Sequence, residues 1–135
     1  MFKYKLPDAC PEIMKRKHRE GEYNTRYYRI TKNNPPDKDD FLPQWFLDFF
    51  KKRREKCKKD VYKRCKMAGL SLLKNKGEAI RLMIKFPALG NFLFSGIISH
   101  HHGLLFETPG TEPSHHTFYA YSEVDEVQIF QKREK

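Results

Sequence analysis

The pattern of apolar and polar positions divides the chain into a helical or mixed first half and a strand-rich second half. Near the N-terminus, "PEIMKRKHRE" predicts a short helix that begins at Pro11, because proline is favoured in a first helical turn. Residues 24–32, "NTRYYRITK", are rich in β-formers and alternate, which predicts a strand. Alternation places Arg26 and Arg29 on opposite faces of that strand.

The middle of the chain predicts one long amphipathic helix from about Asp40 to Lys66, with Pro43 in its first turn. "NNPPDKDDF" breaks regular structure before it, and Gly69 is expected to end it. Its apolar stripe comprises Leu42, Trp45, Phe46, Phe49, Phe50, Cys57, Val61 and Cys65.

A second helix is predicted after a short strand, "LSLL". Asn75 is its expected N-cap, and Glu78 three residues later completes a capping-box pattern. Pro87 is expected to stop it. The predicted buried face of this helix comprises Ala79, Ile80, Met83 and Ile84.

The remaining segments predict strands separated by turns: "NFLFSGIIS", "GLLFET", "HTFYAY" and finally "EVQIF". Helices precede a mainly antiparallel set of strands, so the fold class is α+β. At 135 residues the chain is expected to form a single domain, residues 1–135.

The charge is concentrated in one segment. Residues 51–66 carry ten Lys or Arg against Glu55 and Asp60, so they hold +8 of the formal net charge of +10. Such a helix is either a solvated face or a surface for nucleic acid or another polyanion, because each phosphate contact releases a counterion. No helix-turn-helix, RNA-binding or zinc-finger pattern accompanies it. The candidate nucleic-acid-binding residues are Lys51, Lys52, Arg53, Arg54, Lys58, Lys59, Lys63 and Arg64.

Three cysteines, Cys10, Cys57 and Cys65, have neither disulfide-framework nor zinc-ribbon spacing. We therefore expect buried, reduced thiols. The sequence shows no signal peptide and no apolar run of membrane-spanning length, so we expect a cytoplasmic protein without membrane contact.

Five of the six histidines lie between residues 99 and 121. Strand alternation separates His100 and His102 from His101, and His115 from His116, so we expect no metal site. His116 should share the core face with Phe118 and Ala120, whereas His115 should share a more open face with hydroxyl groups. The candidate ligand-binding residues are Arg26, Arg29, Ser71, His115, Thr117 and Tyr119, of which Ser71 rests on a resemblance described below.

Several short motifs occur in a recognisable order: "NNPPDKDDF", "GLSLL", "EA", "FPALG" and "SHHTFY". The chain resembles a widespread family of small uncharacterised bacterial proteins over roughly residues 26–121. It departs from that family in its basic segment and in "HTFYAY", where the family shows a Trp-Gly ending. The resemblance implies a fold more than a function.

A second resemblance is to small ADP-ribosyltransferase-like domains, through "YYRI", "GLSLL", "KGEAIRLMIKF" and "NFLFSGIIS". It implies that Arg29 would hold the pyrophosphate of NAD and that Ser71 would support the nicotinamide side. A late glutamate, Glu107 or Glu123, would polarise a ribose hydroxyl.

The sequence favours an anion-binding domain, with nucleic acid or a nucleotide as its ligand, and leaves the cofactor undefined. One alternative is an NAD-consuming enzyme of the ADP-ribosyltransferase type. Another is an interaction subunit of a toxin–antitoxin or defence system, with a protein partner on the aromatic segment Trp45–Phe50.

Overall fold

A six-stranded antiparallel sheet organises residues 1–47 and 50–134, which the computed structural model describes. The sheet order is β4-β5-β2-β1-β3-β6, and the α+β class is thereby confirmed. The strands are β1 (Thr25–Thr31), β2 (Leu70–Leu73), β3 (Phe92–Ile98), β4 (Gly103–Glu107), β5 (His115–Ala120) and β6 (Lys132–Glu134).

Short helices accompany the sheet: α1 (Cys10–Lys17), α2 (Lys51–Cys57), α3 (Val61–Ala68), α4 (Lys76–Lys85) and α5 (Glu126–Ile129). Turns of 3₁₀ helix cover Lys38–Phe41, Gln44–Phe46 and Pro87–Leu89. Within the described ranges, no helix has the length and apolar character needed to cross a bilayer.

The single long helix predicted from Asp40 to Lys66 is wrong. Its first part forms two 3₁₀ turns, and its basic part breaks into α2 and α3 around Lys58. Asp60 begins α3, because its carboxylate accepts a hydrogen bond from the Lys63 backbone N–H at 3.1 Å. Phe49, which the prediction placed in the apolar stripe, lies outside the described residues together with Asp48.

One face of the sheet forms the main core with the 38–41 turn and the C-terminal segment. Phe41 and Phe130 stack on this side with ring centroids 5.5 Å apart. Gly96 permits the close approach of α5, because a Cβ there would lie 2.1 Å from the Ile129 carbonyl oxygen. The last predicted strand, "EVQIF", is wrong: it is α5, and β6 follows it.

The opposite face is covered by α4 over β1–β3, and by α1 and α3 over β4 and β5. Asn75 is the N-cap of α4, as predicted, and accepts from the Glu78 N–H at 3.0 Å. The Glu78 carboxylate accepts from the Ser114 N–H at 2.9 Å instead of completing the predicted capping box. Ile84 is 74% exposed, so the predicted buried face of this helix is only partly correct.

The expectation of reduced thiols is contradicted for two cysteines. Cys10 at the start of α1 and Cys65 in α3 form a buried disulfide, with Cα atoms 5.4 Å apart. Cys57 is a buried free thiol. Disulfides persist mainly in oxidising compartments, and the cytoplasmic location stays a prediction.

Candidate nucleic-acid interface

Arg29, a predicted ligand-binding residue, is bound to the backbone of its own chain. Its Nε donates to the Asp40 carbonyl oxygen and its Nη1 to the Ser71 carbonyl oxygen, both at 3.0 Å. Burial lowers the pKa of Arg29 to about 10, although the nearby Asp40 and Glu126 charges act in the other direction. The guanidinium therefore joins β1, β2 and the 38–41 turn.

His115, Thr117 and Tyr119 share one face of the sheet, as strand alternation predicted, and Ser71 on β2 lies on the same face opposite Thr117. The expectation that this face is open is wrong. Thr117 and Tyr119 are buried at 2% and 4% exposure, and Tyr119 packs against α1 and α3. The Tyr119 hydroxyl donates to the Cys65 carbonyl oxygen at 2.7 Å, and the Thr108 hydroxyl lies 2.8 Å from both Thr117 Oγ1 and His115 Nδ1.

Arg26 lies elsewhere, beside an open groove between β3 and the C-terminal segment. Its Nη1 donates to Ser95 Oγ at 2.9 Å, and the Ser95 hydroxyl donates to the Glu134 carboxylate at 2.6 Å. Lys76 Nζ lies 3.0 Å from the same carboxylate. The six predicted ligand-binding residues therefore occupy three separate places.

The histidines are also dispersed. His116 faces the core with Phe118, as predicted, and its Nδ1–H donates to the Ser114 carbonyl oxygen at 2.7 Å. His102 Nδ1 accepts from the Ser99 N–H at 3.0 Å, whereas His100 stacks on Tyr23. Within residues 1–47 and 50–134, no three His, Cys, Asp or Glu side chains are grouped as metal ligands would be.

Three of the predicted nucleic-acid-binding residues are engaged with the 44–46 turn. Arg53 Nη1 donates to Gln44 Oε1 at 3.2 Å, and Arg54 Nη1 donates to the Trp45 carbonyl oxygen at 2.7 Å. The Arg64 guanidinium lies 5.0 Å from the Trp45 ring centroid. These arginines hold the aromatic turn against α2 and α3, so part of the predicted protein-partner segment is internal to the fold.

The other cations of α2, α3 and the turn between them extend into solvent, and α1, which packs against α3, adds more. We call this set the basic face. Its acidic neighbours Glu12, Glu55 and Asp60 form no ion pair with it within the described residues. The basic face comprises Lys15, Arg16, Lys17, Lys51, Lys52, Lys56, Lys58, Lys59, Lys63 and Lys66, all exposed.

Tyr62 lies where α1 and α3 meet. Its hydroxyl is hydrogen-bonded to His18 Nε2 at 2.7 Å, and the two rings are nearly parallel. Lys17 Nζ and Lys66 Nζ lie 4.7 Å and 5.6 Å from its ring centroid. Burial, followed by the charges of Lys66 and Lys17, lowers the pKa of His18.

The contribution of α1 was missed at the level of sequence. The run "KRK" at residues 15–17 was visible, but nothing local placed it beside the residue 51–66 segment. The disulfide and the sheet bring α1 against α3 across 55 residues of chain. The packing of α1 against α3 also brings His18 and Tyr62 together beside the basic face.

Comparison of the chain with family models, curated proteins and solved structures gives no significant match.

Proposed function

We propose that the protein binds nucleic acid by gripping its phosphate backbone with the basic face. One observation carries this proposal: three adjacent helices direct exposed lysines and arginines into solvent, and no carboxylate of the described residues pairs with them. Like charges gathered in this way repel each other and destabilise the compact state. A bound polyanion removes that cost and releases its condensed counterions.

The distribution of charge over the molecule supports the same proposal. The segment from His100 onward carries six acids against three bases, whereas residues 51–66 carry +8. A negatively charged strand is therefore attracted to the basic segment and not to the acidic one. Such asymmetry orients the encounter and raises its rate at low salt.

A charge-neutralised variant tests the proposal. Lys15→Gln, Arg16→Gln and Lys63→Gln together remove three charges from the basic face without touching Tyr62. Each lost contact with a single strand flattens the slope of log affinity against log salt by about 0.7, so the slope should fall by about 2. The measurement is fluorescence anisotropy of a labelled oligothymidine at several salt concentrations.

The matched control removes two lysines and one arginine that lie outside α1, α2 and α3: Lys32→Gln, Lys38→Gln and Arg81→Gln. All three positions are exposed. This control should keep most of the slope. Absence of binding at low salt, or equal losses in the two variants, contradicts the proposal, because equal losses would reflect net charge alone.

A further inference from the structure

We propose that the ligand of the basic face is a single-stranded nucleic acid, and that Tyr62 stacks on one of its bases. This inference rests on the function proposed above and specifies its ligand. The observation behind it is the aromatic ring of Tyr62 at the junction of α1 and α3. Phosphate binding by charge alone would not need such a ring among the lysines.

The Tyr62 ring is partly exposed and held in a fixed orientation. Its hydroxyl is bound to His18 Nε2 at 2.7 Å, on the segment that follows α1. Its backbone belongs to α3, which the disulfide joins to α1. A ring fixed at both ends is a preorganised platform, because ordering it on binding costs little.

Two cations flank this platform. Lys17 and Lys66 belong to different helices, yet both ammonium groups lie over the Tyr62 ring. Their flexible side chains can move from the ring to phosphates on either side of a stacked base. The ring and the two lysines thus match the repeating unit of a single strand, in which each base is accompanied by a phosphate.

A duplex cannot use this platform, because its base faces are occupied by stacking within the helix. Single strands and unpaired loops expose those faces, and every base has one. We therefore expect preference for single strands with little dependence on base sequence. Tyr62 would then determine which polyanion the basic face accepts.

The test compares three labelled ligands of equal length: oligothymidine, an abasic strand with the same phosphates, and a duplex of oligothymidine with oligoadenosine. The natural protein should bind oligothymidine about tenfold more tightly than the abasic strand, which is within the range that stacking of one base provides. It should also prefer oligothymidine to the duplex. Anisotropy at a fixed salt concentration measures all three.

Three variants identify the residue. Tyr62→Leu should bind oligothymidine and the abasic strand equally, whereas Tyr62→Phe should keep the difference because it retains the ring. Tyr28→Leu removes a partly exposed tyrosine of β1 that packs in the cluster beneath α4, and this variant should behave as the natural protein. Thermal melts check that each variant is folded.

The outcomes separate this inference from the function on which it rests. Equal binding of oligothymidine and the abasic strand by the natural protein would retain phosphate binding and reject base stacking. Tighter binding of the duplex would also reject the inference. Failure to bind any of the three ligands would reject the proposed function itself.

Discussion

Two cationic regions of the molecule differ in what their charges contact. At the C-terminal side of the sheet, Lys76 and Lys132 approach the Glu134 carboxylate at 3.0 Å and 3.9 Å. Nearby, Lys3 pairs with the buried Glu126 and also donates to the Val124 carbonyl oxygen at 3.0 Å. On the basic face, Lys17 and Lys66 contact an aromatic ring and pair with no carboxylate of the described residues.

The difference indicates which cations serve the fold. A cation paired with a carboxylate of its own chain has its charge compensated before any ligand arrives. A cation over an aromatic ring is held weakly and remains available to an external anion. Because the cations of the basic face repel each other, its helices must be held together by other contacts. The Cys10–Cys65 disulfide joins α1 and α3 covalently.

The largest expected effect follows from removing that covalent link. Reduction of the disulfide should lower the free energy of unfolding by about 4 kcal/mol, because it frees the unfolded chain of a loop closed across 55 residues. Denaturant titrations with and without a dithiol reductant measure the loss. Protein in which Cys10 and Cys65 are both replaced by Ser is the control, and reductant should not affect it.

The same bond predicts the number of reactive thiols. Denatured protein that has not been reduced should contain one free thiol, that of Cys57, and reduction should reveal two more. Three free thiols without reduction would show that α1 and α3 are joined by packing alone.

The next largest effect concerns the paired lysines at the C-terminal side of the sheet. Lys3→Met should lower the free energy of unfolding by about 3 kcal/mol, because it leaves the Glu126 charge buried without its partner. Lys5→Met, at an exposed position two residues away, is the control and should change little. A Lys3→Met variant as stable as the Lys5→Met variant would mean that the pair adds nothing to stability.

Most strands could be predicted because each one carries its signal locally. The predicted strand at residues 24–32 is β1 at Thr25–Thr31, and "NFLFSGIIS" contains β3. Alternation also gave the correct faces for His115 and His116. The prediction of the last strand was wrong, although the sequence contained a helix signal in Asp125. The carboxylate of Asp125 caps α5 by accepting a hydrogen bond from the Val127 N–H.

The prediction of one long helix was wrong because helical periodicity in a sequence does not reveal the tertiary contacts of a segment. Trp45 fits a helical stripe, but its segment is a 3₁₀ turn held by Arg54 and Arg64. Residue type likewise does not reveal which groups a side chain contacts in the fold. Arg26 and Arg29 signalled an anion site by residue type, yet one binds Ser95 and the other binds backbone carbonyls.

Interior histidines should make stability depend on pH, with a smaller effect than either change above. Burial lowers the pKa of His115 and His116 below the ordinary value near 6.5; Lys66 and Arg29 act in the same direction at His115. The unfolded chain therefore binds protons that the folded chain does not, so stability falls as the pH drops below about 6.5.

Thermal melts at pH 7.5 and pH 5.5 measure this dependence. His115→Gln and His116→Gln should each reduce the difference between the two melting temperatures, whatever they do to the absolute values. Lys5→Gln, at an exposed position, should leave the difference unchanged. Melting temperatures that are equal at the two pH values would contradict the assignment of these histidines as neutral in the folded protein.

The smallest expected effect is a pH dependence of nucleic-acid affinity that arises from His18, beside the basic face. In the free protein, burial and the charges of Lys66 and Lys17 keep the pKa of His18 low. A phosphate strand bound beside it favours the protonated imidazole, so binding takes up a proton and affinity should rise as the pH falls from 7.5 to 5.5. One added positive charge is worth up to about fivefold in affinity at 0.1 M salt. His18→Gln, which can still hydrogen-bond to Tyr62, should lose this rise, whereas His101→Gln should keep it. Two outcomes would contradict this prediction: an affinity that does not change with pH, or a rise that persists in His18→Gln. Either one would mean that the strand binds the basic face at a distance from His18 and Tyr62.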